Sequence, residues 1–186
     1  MAEALLVTLF PVAFLAVLFT GGELFRHRRI DKDGDAPINR TLFYSSKYSI
    51  VVVWLAMVLS TWGVDLFLFE GLPSLKWAAV FLWTFGFILL FAGRFELGAS
   101  FRLGQPKECT QLRIGGLFRI SRNPMYVGVY ATLLASVLRT LSPLVLILAV
   151  FIAAVHHRIV LAEETHMRGA FGEAYSTYCR RVRRYL

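Results

Sequence analysis

The sequence contains little charge and little cysteine. Only 17% of its 186 residues are charged, whereas 57% are hydrophobic, and the mean hydropathy is +0.61. Soluble domains carry about 25% charged residues, so this composition indicates a membrane protein. The two cysteines, Cys109 and Cys179, lie far apart in polar segments. This argues against a disulfide-stapled secreted domain, and we expect both to be reduced.

Acidic residues are scarce as well: 12 Asp and Glu stand against 20 Lys and Arg, a net charge of +8. Such an excess indicates nucleic-acid binding when it covers a polar domain. Here the basic residues lie between apolar runs, so we expect no nucleic-acid partner. We also expect no metal, because His156 and His157 face different sides of a helix and His27 and His166 have no companion at ligand spacing.

Two patterns of other protein classes are missing. There are no alternating strands and no Gly-rich turn between a strand and a helix, which excludes a doubly wound nucleotide-binding domain. There is also no internal repeat, which argues against a transporter built from inverted repeats.

Long apolar runs dominate the chain. Three are long enough to cross a hydrocarbon core of about 30 Å: residues 4–20, 48–69 and 75–93. A later apolar stretch is broken at Ser142 and Pro143, which are typical of an N-cap and a first helical position. This predicts a helical hairpin.

The first arm of the hairpin covers residues 124–138, and the second runs from Pro143 past Glu164 as one long helix. We therefore expect one all-α integral membrane domain, residues 1–186, with about five transmembrane helices. Residues 1–93 supply three of them. Residues 94–186 supply the hairpin, the loop before it and a C-terminal segment.

Basic residues predict the orientation, because they favour cytoplasmic loops. Eighteen of the 20 fall in the first loop, the third loop or the C-terminal segment, and only Lys76 and Arg139 fall on the other side. With an odd number of spans, the first loop, the third loop and the C-terminal segment all lie on the same side of the membrane. We expect the N-terminus outside and the C-terminus in the cytoplasm, in the inner membrane if the cell is bacterial.

Two polar segments, residues 94–123 and 158–186, flank the hairpin and must meet in space. Asn123 is the expected N-cap, which by itself explains the start of the helix. Arg122 beside it adds a cation to N–H groups that already attract a carboxylate or phosphate. The two interpretations, a simple cap and an anion site, stay open on these residues alone.

The second segment carries adjacent carboxylates. Glu164 can pair with Arg168 four residues on, but Glu163 has no such partner on its helix and needs a cation or a donor beside the membrane. An arginine can bind the carboxylate of an amino acid, and a glutamate can bind its ammonium group. The two residues together therefore suit an amino-acid zwitterion. S-adenosylmethionine is one such ligand, with Phe118 available for its adenine, although other amphiphilic metabolites fit equally well.

The motifs of this half resemble a known family. They are Gly-Leu-Phe-Arg at 116–119, Arg-Asn-Pro-Met-Tyr-Val-Gly at 122–128, Glu-Glu at 163–164 and Phe-Gly-Glu-Ala-Tyr-Ser-Thr-Tyr at 171–178, before a basic tail. In this order they resemble the integral-membrane isoprenylcysteine carboxyl methyltransferases and phospholipid methyltransferases. The resemblance covers residues 94–186.

The resemblance implies a methyltransferase that uses S-adenosylmethionine in a cytoplasmic pocket. Its acceptor is a lipid or isoprenoid-like molecule that arrives from the surrounding bilayer lipids. The implied cofactor contacts are Leu112, Arg113, Phe118, Arg122, Asn123, Pro124, Tyr126 and Glu163.

On the acceptor side, the resemblance makes Arg158 the catalytic arginine. Asn123 stands where the carboxyl methyltransferases have His, so no imidazole base is available at this position. An amine acceptor then takes its base from Glu164, Glu96 or Glu108. Tyr175 and Tyr178 match the signature and are expected to pack.

Two alternatives remain. The first is a membrane reductase of sterol or other lipid double bonds that uses NADPH, since such enzymes share an Arg-x-Pro-x-Tyr hairpin. The second is a non-catalytic scaffold whose basic loops bind anionic lipids, each residue contributing about 1 kcal/mol near the surface.

Overall fold

The computed structural model of the chain describes residues 1–24, 36–64, 73–98, 101 and 112–186. Within these ranges, a short 3-10 helix (Gly116–Arg119) precedes the hairpin, and five α-helices form: α1 (Ala2–Leu24), α2 (Arg40–Thr61), α3 (Pro73–Leu97), α4 (Pro124–Thr140) and α5 (Pro143–Arg181). The same ranges contain no β-strand.

The predicted all-α membrane fold is confirmed. Helices α2, α3 and α5 are long and apolar enough to cross a membrane, and residues 2–18 of α1 form a shorter apolar helical segment. Helix α4 has 17 residues, which at 1.5 Å per residue gives about 26 Å. The first arm of the hairpin is therefore the short one, as the sequence predicted.

The second arm continues past Glu164 as predicted, and α5 has 39 residues. At Gly172 its backbone leaves the helical region, with φ 51° and ψ −123°, a conformation that glycine adopts because it has no Cβ. Ser142 occupies the N-cap of α5 as predicted, although its side chain makes no capping hydrogen bond. The reversal at Gly172 directs the end of α5 back towards the start of α4.

Helices that follow one another in the chain run in opposite directions. At what we call the far end, Trp62 Nε1 at the C-terminus of α2 donates to Thr8 Oγ1 near the start of α1 at 3.0 Å. At the same end Arg139 Nη1, in the last turn of α4, pairs with Glu3 Oε1 at 3.3 Å. The opposite end, here the site end, therefore contains the start of α2, the end of α3 and the start of α4.

Aromatic side chains fill the centre of the bundle. The Phe87 ring lies 4.8 Å from the Trp54 ring and 5.0 Å from the Trp83 ring, centroid to centroid. Such pairs contribute about 0.5–1.5 kcal/mol beyond the burial of their area. The buried Trp54 Nε1 donates to Thr132 Oγ1 at 3.0 Å, which satisfies its only polar group.

Helices α3 and α4 approach each other at two glycines. A Cβ on either Gly86 or Gly128 would lie 2.7 Å from the other's carbonyl oxygen. Small residues permit this close approach of membrane helices. Gly128 is the last residue of the motif at 122–128, so that position of the motif is explained by packing.

Gly128→Ala should therefore destabilise the protein, whereas Gly169→Ala should not. Both change a helical glycine to alanine, but a Cβ at Gly169 meets no atom within 4 Å. We expect Gly128→Ala to cost about 1–3 kcal/mol by overpacking, and Gly169→Ala to raise stability slightly because alanine favours helix. Thermal unfolding in detergent measures both, and equal melting temperatures for the two variants would contradict the packing.

Candidate functional site

The Glu164 carboxylate is the centre of an ionic cluster at the site end. It is buried, with the residue only 4% exposed. Arg184 binds it with two hydrogen bonds, Nε to Oε1 at 3.0 Å and Nη2 to Oε2 at 3.0 Å. Arg122 Nη2 lies 3.2 Å from Oε1, and Asn123 Nδ2 donates to Oε1 at 3.5 Å. The hydrogen bonds from Arg184 to Glu164 also raise the pKa of the Arg184 guanidinium.

The C-terminal residues are held against the loop before α4. Arg122 N donates to Arg183 O at 3.0 Å, within an isolated parallel bridge between Ser121 and Arg183. Asn123 Nδ2 donates to Arg184 O at 3.1 Å. Asn123 stands at the N-cap of α4 as predicted, but its side chain makes no capping hydrogen bond. It ties the C-terminal residues to α4 instead.

Three tyrosines complete this attachment. Tyr185 Oη lies 2.8 Å from His157 Nδ1 and 3.4 Å from Tyr130 Oη. Tyr178 is buried, and its hydroxyl donates to Phe118 O at 2.6 Å. The last part of α5 thus supports the 3-10 helix, in keeping with the packing role expected of Tyr178.

Glu163 lies in a different environment from its neighbour. Tyr126, from the first turn of α4, donates its hydroxyl to the Glu163 carboxylate, 3.1 Å from Oε1 and 3.2 Å from Oε2. Among the described residues no ion pair forms at Glu163. A carboxylate offers about four lone-pair positions, so one hydroxyl leaves it able to accept further hydrogen bonds.

Lys47 is the residue of this region that the sequence reasoning missed. We assigned it to the first loop, but α2 begins at Arg40 and includes it. Its Nζ lies 5.3 Å from the centroid of the Phe43 ring and 5.8 Å from that of the Tyr126 ring. Lys47 precedes the apolar run and follows Ser45 and Ser46, so no local signal in the sequence marked it as part of the helix.

A cavity of about 250 Å³ opens beside the 3-10 helix, lined by Glu96, Arg113, Gly115, Gly116 and Phe118. Leu117 N donates to both carboxylate oxygens of Glu96 at 3.0 Å. Gly116 has φ +56°, and a side chain there would collide with Glu96. The end of α3 therefore holds the turn that forms the cavity wall.

The sequence-predicted residues do not all meet at one point. Arg122 and Asn123 meet Glu164, Tyr126 meets Glu163, and Arg113 and Phe118 line the cavity; these contacts were given above. Pro124 is buried at the first position of α4 and Leu112 is half-buried ahead of the 3-10 helix. Arg158 is exposed on α5 and makes no hydrogen bond or ion pair within the described ranges. Glu108 and Cys109 lie outside those ranges.

The family model described as phospholipid methyltransferase matches residues 75–174, more than half of the chain. The match begins in α3 and ends in α5, so it includes the 3-10 helix, Tyr126 and both carboxylates. Lys47 and Arg184 lie outside it. No curated protein matches the sequence.

Glu164→Gln should destabilise the protein far more than Glu173→Gln. The first change removes a charge that two guanidinium groups share inside the protein, a loss of about 3 kcal/mol. The second breaks an exposed pair with Arg180, and exposed pairs contribute little. Thermal unfolding measures the stability, and trypsin cleavage at the C-terminal arginines reports whether that segment stays attached. Equal melting temperatures and equal cleavage rates would contradict the role given to Glu164.

Proposed function

The chain belongs to the phospholipid methyltransferase family, and from this premise we propose that it transfers a methyl group from S-adenosylmethionine to a lipophilic acceptor. One observation carries the proposal. Of two adjacent carboxylates, Glu164 is neutralised by Arg122 and Arg184, while Glu163 accepts from the Tyr126 hydroxyl alone among the residues that the structure describes. Glu163 is the carboxylate able to bind a ligand's ammonium group.

The described residues fit the amino-acid and nucleoside parts of this cofactor. Glu163 suits the ammonium group. The buried Arg122 Nε has no hydrogen-bond acceptor in the described part of the chain, so it can donate to the carboxylate. Phe118 offers an aromatic face in the cavity for the adenine ring, and Arg113 lies on the same wall.

When bound, S-adenosylmethionine supplies a sulfonium-activated methyl group for direct displacement. The side chains of this protein then bind the donor, orient it towards the acceptor and exclude water. Because the buried Glu164 carboxylate already pairs with two guanidinium groups, we assign Glu164 to positioning Arg122 and the C-terminal residues. Glu96, which is exposed and lines the cavity, is the better candidate for a base if the acceptor is an amine.

The acceptor enters from the bilayer. The apolar outer faces of the helices contact lipid, and a lipid substrate reaches the site end without crossing water. Arg158, exposed on α5 six residues before Glu164, is our candidate for attracting an anionic headgroup or carboxylate. The excess of basic residues at the site end supports a cytoplasmic location for this end, with the N-terminus of α1 outside.

A thermal-shift titration with S-adenosylmethionine, S-adenosylhomocysteine and NADPH tests the proposal. A ligand that binds only the folded protein raises its melting temperature, and we expect this from the two adenosyl compounds alone. Stabilisation by NADPH alone would make the protein a reductase. No response from a folded sample would favour a non-catalytic scaffold.

Glu163→Gln should weaken the affinity for S-adenosylhomocysteine about 10- to 100-fold, the loss expected for one hydrogen bond to a charged group. Glu173→Gln removes a carboxylate from the exposed end of the same helix and should leave the affinity unchanged. Isothermal titration of the detergent-purified variants measures both dissociation constants. Wild-type affinity in a folded Glu163→Gln variant would remove Glu163 from the site.

A further inference from the structure

Lys47 places a cation within a membrane-spanning helix, seven residues after α2 begins at Arg40. A charged side chain at such a position is costly and is kept where it has a partner. The described residues give Lys47 two aromatic neighbours, since its Nζ lies over the rings of Phe43 and Tyr126. These cation–π contacts hold the ammonium group in place without neutralising it.

Tyr126 connects this ammonium group to Glu163. Its ring lies below Lys47 Nζ at 5.8 Å, and its hydroxyl donates to both Glu163 oxygens. Because Lys47 and Glu163 are of opposite charge and both contact Tyr126, they attract each other electrostatically. His156, only 1% exposed, packs edge-on against the same ring at 5.4 Å between centroids. Helices α2, α4 and α5 therefore share one polar cluster.

Other cations near Glu163 are already committed. Arg122 and Arg184 both bind Glu164, and Arg158 is exposed, five residues earlier on α5. A carboxylate beside the bilayer needs a nearby cation to offset its lost hydration. Lys47 meets that need from a helix that lies outside the family match, which starts at residue 75.

We infer that Lys47 is a positioning residue of the ligand site, orienting the Glu163 carboxylate through Tyr126. Glu163 is then ready to accept a ligand's ammonium group. The part of this inference that concerns the ligand rests on the proposed function. The pairing of Lys47 with Glu163 does not, and it can be tested without ligand.

A double-mutant cycle on the unliganded protein tests the pairing. Lys47→Met and Glu163→Gln should each lower the melting temperature by about 2–4 °C or more, because each leaves one charge unbalanced. The double variant should melt well above the value that the two losses predict by addition. Lys76 is an exposed lysine in the first turn of α3. As the control, Lys76→Met should combine additively with Glu163→Gln. If the losses of melting temperature in Lys47→Met and Glu163→Gln are also additive, the inference is overturned.

The same variants test the ligand role through S-adenosylhomocysteine binding. Lys47→Met should weaken binding about 10-fold, Lys47→Arg should restore most of it, and Lys47→Met should add no further loss in the Glu163→Gln background. Unchanged affinity in folded Lys47→Met would overturn the positioning role.

If wild-type protein binds no S-adenosylhomocysteine, the proposed function fails, and the stability cycle still decides the pairing. Should Lys47→Met not fold, Lys47→Arg and the double variant give the comparison.

Discussion

The buried Glu164 carboxylate is the interaction on which the site end depends. It joins three parts of the chain: α5, the loop that starts α4, and the C-terminal residues, through Arg122, Asn123 and Arg184. Successive residues of a helix point about 100° apart. Once Glu164 is fixed towards the arginines, Glu163 must point elsewhere, and it meets Tyr126. Two adjacent glutamates thereby lie in separate environments, one paired with arginines and the other bonded to a tyrosine hydroxyl.

That arrangement requires α4 to start at the right place. The contact of Gly86 with Gly128 brings α3 and α4 together with no side chain between their backbones. At the end of α3, Glu96 then holds the 3-10 helix through Leu117 N. The first turn of α4 is therefore positioned by the close approach of the α3 and α4 backbones, and the cavity wall by the Glu96 side chain.

Much of the fold could be predicted from local sequence. Apolar runs, the break at Pro143 and the N-cap position of Asn123 are local signals, and the structure has helices in those places. The contacts of the site were harder to foresee. Spacing offered Glu164 a partner four residues on, whereas Arg184, its partner in the fold, is 20 residues away and reaches it only because the chain reverses at Gly172. Lys47 was counted with a loop because α2 begins earlier than its apolar run.

The central claim is that Glu163 and the neighbouring Arg122 receive the amino-acid end of a ligand at the site end. A crystal structure of the protein bound to S-adenosylhomocysteine tests it most directly. The account predicts the ligand's amino nitrogen within hydrogen-bonding distance of Glu163, its carboxylate near Arg122 Nε and its adenine against Phe118. A ligand bound at the far end, or at the site end with its amino group away from Glu163, would contradict it.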